Sequence, residues 1–331
     1  AIDLKGDFEE AHSNLLMTLH YPPSTTSEDF LAAATAWARP YNDACPRPTF
    51  ANKADPDKRL RVGYVSADFS KHPVGFYLER ILPFHKLQAV EYVGYCNSLK
   101  VDETTERLQQ NSVLWRKITN LSDAALAEQI RQDNIDILID LSGHTAGNRL
   151  GAFALRPAPV QVTWMGYTGT TGLKAMDHIL ADRFVVRDGE EDLFSEQVTF
   201  LPGCYLNFDP PRLDIDTTPP PATKSGFITF GSFNNRVKIT DEAIAAWSQI
   251  LIDVPKSRLL LKTAQLDDDG VRQSLLDQFR SHGIDEDRLD LEGRSPREEL
   301  LRAYQRIDIA LDTRPFSGGV TTAEALWMGV P

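Results

Sequence analysis

Residues 226–247 read GFITFGSFNNRVKITDEAIAAW, and the order of residue types in this stretch decides the fold class. Phe227, Ile228, Thr229 and Phe230 form a β-branched and aromatic run without a charge, the pattern of a strand covered on both faces. Gly231 and the Asn234-Asn235 pair interrupt it. Thr240 then has the chemistry of an N-cap, followed by Asp241 and Glu242 in the first turn of a helix. Strand, polar loop and helix in that order predict a parallel α/β unit. The loop carries Arg236 and Lys238, so a lysine is expected at the carboxyl end of a strand, just ahead of a helix start.

The same rhythm extends in both directions. Toward the C-terminus, strands are predicted at 227–230, 258–262, 288–291 and 307–311, alternating with helices at 241–251, 270–281 and 297–305. Toward the N-terminus, RLRVGYVSADF, AVEYVGYCN, IDILIDLSG, PVQVTWMGY and DHILAD read as strands, with helices at 77–85 and 122–133. Strand–helix alternation with nearly unbroken apolar strands means a parallel sheet layered by helices. Two Rossmann-like, doubly wound domains facing a cleft are therefore expected, at 59–185 and 226–331. Residues 186–225 read as a connector, because 209–225 hold five of the 20 prolines. Residues 1–58 show amphipathic stretches at 8–20 and 27–41 and read as a helical segment, with GDFEEAHSNLL faintly like the end of a tetratricopeptide array. CPRPTFANKADPDKR is a polar linker.

A chain of 331 residues exceeds one ordinary core. With 47 acidic against 35 basic residues the net charge is −12, which argues against a dedicated nucleic-acid binder but allows a local basic pocket for a phosphorylated ligand. Cys45, Cys96 and Cys204 lack CxxC spacing, so neither a disulfide framework nor a zinc site is expected, and a reducing, cytoplasmic compartment is. No apolar run approaches the roughly 18 residues of a membrane span. The chain opens at Ala1 and stops at Val330-Pro331 just after a helix-like segment, and both ends are read as truncated.

In open α/β sheets ligands bind beyond the carboxyl ends of the strands. Five polar clusters fall there: SADFSKHPVG with Asp68, Lys71 and His72; DLSGHTAGNR with His144, Thr145 and Arg149; MGYTGTTG with Gly166, Tyr167 and Thr168; the Lys238 loop; and DTRPFSGGVTTAEALWMG. The last has the plainest logic. Gly318 and Gly319 lead into Thr321, Thr322 and a helix expected to start near Ala323, so free N–H groups and a positive dipole end are offered to a phosphate. Glu324 is placed to accept bonds from ribose hydroxyls, and the Lys238 ammonium to neutralise charge on a departing diphosphate. An ordinary capped helix and a solvated lysine are the plain alternatives. Likewise His72 has a structural alternative in a bond to Asp68, and SGHTAGNR one in organising its own loop around His144. Asp267-Asp268-Asp269 imitates a metal-binding triad but reads as an acidic helix start, and no metal is expected.

Four blocks carry a resemblance: RLRVGYVSADFSKHPVGFYL, IDILIDLSGHTAGNRLGAFALRPAPVQVTWMGYTGTTG, GFITFGSFNNRVKIT and LDTRPFSGGVTTAEALWMGVP. In order and spacing they resemble the catalytic region of the O-GlcNAc transferase/SPINDLY family of inverting GT-B glycosyltransferases, and SNLLMTLHYPP is similar to the segment joining that family's tetratricopeptide helices to the catalytic region. The resemblance implies that Lys238 contacts the donor diphosphate and that Asn235 occupies a donor-contacting position. It puts His72 at the sugar and acceptor end, Thr321 and Thr322 on the diphosphate turn, and Glu324 on the ribose. It departs at Gly319 and Val320, where relatives often place His or Thr. It departs also at Thr168, where proline is usual, and at Leu300, where some relatives stack a histidine on the base. The implied activity is transfer of GlcNAc from UDP-GlcNAc to Ser or Thr of a protein, without metal or other cofactor. GDP-fucose, used in the SPINDLY branch, is the alternative donor. A sugar-nucleotide epimerase and a non-catalytic binding module are the alternatives of another class. The expected partners are a nucleotide sugar and a protein or peptide acceptor, with neither nucleic acid nor membrane.

Overall fold

A computed structural model of the chain describes residues 2, 4, 8–46, 48–52, 55, 57–87, 90–208, 210 and 213–331. Gly6 and Asp7 of the tetratricopeptide-like stretch, residues 47, 53, 54 and 56 of the first linker, and 209, 211 and 212 of the proline-rich connector lie outside the described residues. Two compact units are formed: residues 1–19 with 25–209, and residues 20–24 with 210–331.

The first unit begins with helices α1 (Glu9–Leu19) and α2 (Ser27–Asp43). Strands β1 (Leu60–Ser66), β2 (Val90–Cys96), β3 (Leu114–Lys117), β4 (Ile137–Asp140), β5 (Val160–Thr163), β6 (His178–Ala181) and β7 (Gln197–Phe200) follow, interleaved with helices α3 (Pro73–Leu87), α4 (Glu103–Gln110), α5 (Asp123–Gln132) and α6 (Leu150–Ala154). All seven strands pair in parallel in the order β3-β2-β1-β4-β5-β6-β7. The chain starts at β1, winds outward to β3, then returns to β4 on the other side, so the strand order reverses between β1 and β4. In the second unit, β8 (Thr229–Ser232), β9 (Arg258–Lys262), β10 (Leu289–Glu292) and β11 (Ile309–Ala310) make a parallel sheet of order β10-β9-β8-β11. Helices α7 (Ala222–Ser225), α8 (Asp241–Asp253), α9 (Asp269–Ser281), α10 (Arg297–Ala303) and α11 (Val320–Trp327) accompany it. Its reversal lies between β8 and β11.

Local chemistry explains the element ends. Thr240, Ser122 and Asp268 each accept a backbone N–H three residues on and so cap α8, α5 and α9. Asp268 thereby takes the helix-start role expected of the Asp267–Asp269 run, and among the described residues no group of acidic, histidine or cysteine side chains is arranged to hold a metal ion. In the second sheet Leu259 and Leu261 pack with Phe230 on one face, while Leu260 packs with Phe233 and Tyr304 on the other. Both faces are therefore apolar, which is why these strands show no polar alternation.

Several expectations are corrected. Residues 114–117 form a strand the sequence reading missed, because LWRK is short and half polar. The supposed connector 186–225 contains β7, the edge strand of the first sheet, so that sheet extends to Phe200. Its half-buried QVTF lacks the apolar run of a central strand. Gly231 lies inside β8 rather than ending it, because a Cβ there would stand 2.6 Å from Ile307 Cγ2 and only glycine admits that approach. The helical segment is no separate body: Leu16, Ala34, Trp37 and Ala38 join the core formed by Val93, Tyr95, Leu138 and Phe153. Helix α11 starts at Val320, ahead of the Ala323 expected. Among the described residues no helix is long and apolar enough to cross a membrane.

Candidate functional site

The second sheet's reversal point gathers the Lys238 loop and the glycine-threonine turn. Beyond β8, Asn235 begins a short 3-10 turn, Arg236–Lys238, and its Oδ1 accepts Val237 N at 3.2 Å and Gln265 Nε2 at 3.1 Å. The turn aims Lys238 toward the segment after β11. There its Nζ donates to Ser317 O at 2.8 Å and stands 4.0 Å from the centroid of the Phe316 ring. Burial pushes this ammonium below the ordinary lysine value, with Asp312 pulling the other way.

Asp312 organises the rest. Its Oδ1 accepts Thr313 N at 2.8 Å and Gly318 N at 2.7 Å, and Asn234 Nδ2 lies 3.4 Å away. Asn234 Oδ1 in turn accepts the Thr321 hydroxyl at 3.0 Å. A Cβ on Gly318 would meet Thr322 Oγ1 at 2.5 Å, Thr321 Oγ1 at 2.7 Å and Asn234 Oδ1 at 3.0 Å. Both threonine hydroxyls therefore converge on a backbone that only glycine can supply. Gly319 is the N-cap of α11 and makes no side-chain cap, so the helix N-terminus keeps free N–H groups of the kind that bind phosphate.

Glu324, expected to face ribose, is 2% exposed and ion-paired with Arg297 at the start of α10. Burial raises its pKa, and Arg297 opposes that. Sequence reasoning missed Arg297, Asn234 and Asp312. Asn234 was visible only as a loop former, and Arg297 is one arginine among many until the fold brings it to Glu324.

In the first unit the reversal point between β1 and β4 is flanked by the loops holding His72 and His144. His72 precedes α3, half exposed, with Nδ1 3.8 Å from Asp68 Oδ2 and 3.4 Å from Val74 N. His144 is different. It is 1% exposed, with Nε2 bonded to Thr171 O at 3.1 Å, Nδ1 to Ser13 Oγ at 3.3 Å, and the ring edge-on to Trp37 at 4.6 Å. It ties α1, α2 and two strand-end loops together, which favours the loop-organising alternative. Tyr167 is buried, its ring against those of Phe30 and His144. Gly166 is forced: a Cβ would stand 1.8 Å from Leu141 O. Thr168 is half-buried. The loop is held from below by Glu196, whose carboxylate accepts Thr170 Oγ1 at 2.7 Å, Thr171 N at 2.7 Å and Thr171 Oγ1. Asp140 similarly accepts Gly143 N at 2.7 Å, Ser142 N at 3.1 Å and Thr163 Oγ1 at 2.9 Å, and complete burial pushes its pKa up to about 6. Glu196 lies in the stretch taken for a connector, and no sequence signal marked it.

The model of glycosyl transferase family 41 matches residues 45–212 and 222–331. The chain belongs to glycosyl transferase family 41. Among its family 41 relatives, the probable UDP-N-acetylglucosamine–peptide N-acetylglucosaminyltransferase SPINDLY of Solanum lycopersicum is 36% identical over 339 residues, covering 100% of this chain and 36% of that protein. The UDP-N-acetylglucosamine–peptide N-acetylglucosaminyltransferase of Caenorhabditis elegans is 25% identical over 393 residues, 83% of this chain and 34% of that one. A solved structure of a lysine-to-methionine variant of Thermobaculum terrenum O-GlcNAc transferase superposes with a TM-score of 0.94 at 41% identity, over 100% of this chain and 63% of that chain. The galactosyltransferase WaaB, at 11% identity and a TM-score of 0.55, shares the fold alone. The architecture is thus that of the GT-B glycosyltransferases. The chain spans about a third of the length of the curated relatives it matches.

Proposed function

We propose that this family 41 chain is the catalytic region of an inverting transferase that moves N-acetylglucosamine from UDP-GlcNAc to a serine or threonine hydroxyl of a protein. One observation carries the reading: the Lys238 ammonium bonds Ser317 O at 2.8 Å, and Ser317 stands two residues before Gly319, the N-cap of α11, so a cation and a helix N-terminus address the same small space. That combination suits a diphosphate. The names of the relatives support the sugar and the peptide acceptor.

In the proposed reaction the acceptor oxygen bonds to the anomeric carbon from the face opposite the leaving group. The bond between that carbon and the diphosphate oxygen breaks, its electron pair passes to the diphosphate, and the acceptor hydroxyl releases its proton. Lys238 and the α11 N–H groups stabilise the negative charge that grows on the departing UDP. Thr321 and Thr322 orient it, Asn235 contacts the donor, and Glu324, held by Arg297, fixes the ribose. His72 acts at the sugar and acceptor end. The chemistry so assigned calls on no metal, the enzyme works in the cytoplasm, and nucleic acid is not a partner.

A thermal-shift panel of UDP, GDP, UDP-GlcNAc and GDP-fucose tests the donor, since only a ligand that favours the native state raises Tm. UDP and UDP-GlcNAc are expected to raise it. A rise with GDP and GDP-fucose alone moves the assignment to fucosyl transfer, and no rise with any of the four overturns the reading.

A further inference from the structure

Lys238 owes its position to a side chain that no phosphate would touch. Of its two contacts, Ser317 O and the Phe316 ring, the first is a carbonyl on an exposed loop residue, to which water can donate in place of the ammonium. The ring is the fixed one. Phe316 is half-buried, and its carbonyl accepts Thr313 Oγ1 at 2.8 Å. Thr240, the cap of α8, donates its hydroxyl to Arg314 O at 3.1 Å, which ties the same loop to the helix that follows Lys238. Around the ring stand His20 at 5.3 Å and Tyr21 at 5.6 Å between centroids, from the 20–24 segment that belongs to the second unit. Burial lowers the His20 pKa to about 4, so this neighbour is neutral at neutral pH and adds no repulsion to the ammonium.

We propose that Phe316 is a positioning residue: its ring, backed by His20 and Tyr21, sets where the Lys238 ammonium stands at the start of α11. A cation over an aromatic face is held electrostatically without giving up its N–H donors, so the ammonium stays free to bond phosphate while its location is fixed. A hydrogen-bonding carboxylate in the same place would neutralise the charge the reaction needs. The HYPP turn between α1 and α2 is then a part of the donor site's support rather than a passive connection. The inference rests on the reading of Lys238 as the diphosphate-contacting cation.

The test is a double-mutant cycle on UDP affinity by calorimetry, with Tm recorded for every variant. Lys238→Met is expected to weaken UDP binding about tenfold or more, by loss of a charge-assisted contact. Phe316→Leu, which keeps apolar bulk and removes the ring face, should weaken it about fivefold in the parent and not at all in the Lys238→Met background. Tyr21→Leu should give a smaller loss that also vanishes in that background, and Phe316→Tyr should bind UDP as the parent does. An equal loss from Phe316→Leu in both backgrounds, or none in the parent while Lys238→Met is impaired, overturns the role given to Phe316. An unchanged UDP Kd in Lys238→Met itself overturns the site reading beneath it, so the two failures are told apart.

Discussion

Replacing Lys238 by methionine tests the chemistry most directly, because the apolar stem is kept and only the ammonium is lost. The native contacts are one bond to Ser317 O and the approach to the Phe316 ring, in a half-buried setting whose desolvation already disfavours the charge. Ser317 is exposed, so water replaces the lost donor, and relief of the desolvation offsets the lost contacts; folding stability should change by no more than about 1 kcal/mol. Turnover is another matter. An ammonium about 4 Å from a phosphate oxygen at an effective dielectric of about 20 contributes about 4 kcal/mol. If about 3 kcal/mol of this arises only as charge develops on the leaving diphosphate, kcat falls by about two orders of magnitude. The lowered lysine pKa fixes the sign of the pH effect. The protonated form is the active one, so kcat/KM should fall along an alkaline limb that begins below the ordinary lysine range, and the residual activity of the variant should lack that limb. The assay is initial-rate UDP release from UDP-GlcNAc with an acceptor peptide, alongside Tm. A variant that folds as the parent and keeps kcat within about threefold would refute the leaving-group role, since that residue corresponds to well under 1 kcal/mol.

Three further outcomes are expected. Asp140 has its pKa raised to about 6, so the folded state binds the proton more tightly than the unfolded chain; its contribution to stability is full below the ordinary aspartate value and is lost as pH rises to about 6, up to about 3 kcal/mol in all. Urea titrations across that range should show this falling component in the parent and not in Asp140→Asn, and parallel pH curves for the two would sink the claim. For the Arg297–Glu324 pair the cost should be asymmetric. Arg297→Ala strands a 2%-exposed carboxylate and should cost about 3–5 kcal/mol near neutral pH, less in acid, whereas Glu324→Gln leaves a half-exposed guanidinium that water can solvate and should cost about 1–2 kcal/mol. Equal losses from the two variants in urea would contradict this. Gly166→Ala drives a Cβ to 1.8 Å from a backbone carbonyl and should destabilise by more than about 3 kcal/mol; a Tm within a degree or two of the parent would show that the loop is not held as described.

What could be read from the residues alone follows from where the physics is local. The strand–loop–helix order of 226–247 was legible because buried strands, an N-cap and acidic first-turn residues are each written into a few consecutive positions, and the Thr240 cap and the lysine at the strand end are where that order put them. Chain reversal was not legible. Nothing in GFITFG states that its neighbour in the sheet is the short strand at Ile309–Ala310, yet that pairing is what carries Lys238 to Ser317. Edge strands β3 and β7 hid for a related reason: half-exposed strands dilute the apolar run on which the reading depended.

The residues missed have one thing in common, namely that each acts on a functional group through another side chain. Asp312 fixes Gly318 and Asn234, Asn234 fixes Thr321, Arg297 fixes Glu324, and Glu196 fixes Thr170 and Thr171. Motif reasoning finds groups whose chemistry is aimed at a ligand, because that chemistry restricts residue type and spacing. Supporting groups are restricted only by the partner they meet in space, often far along the chain, as with Arg297 and Glu324, 27 positions apart. His144, which the sequence left open between cleft and loop organiser, shows the converse case. A histidine in a glycine-bearing loop at a strand end has the look of a reactive group, but at 1% exposure with both ring nitrogens engaged it is spent on holding Ser13, Thr171 and Trp37 in register. For this histidine the choice between substrate and scaffold turns on the engagement of both ring nitrogens inside a buried cluster, and that engagement exists only in the folded chain.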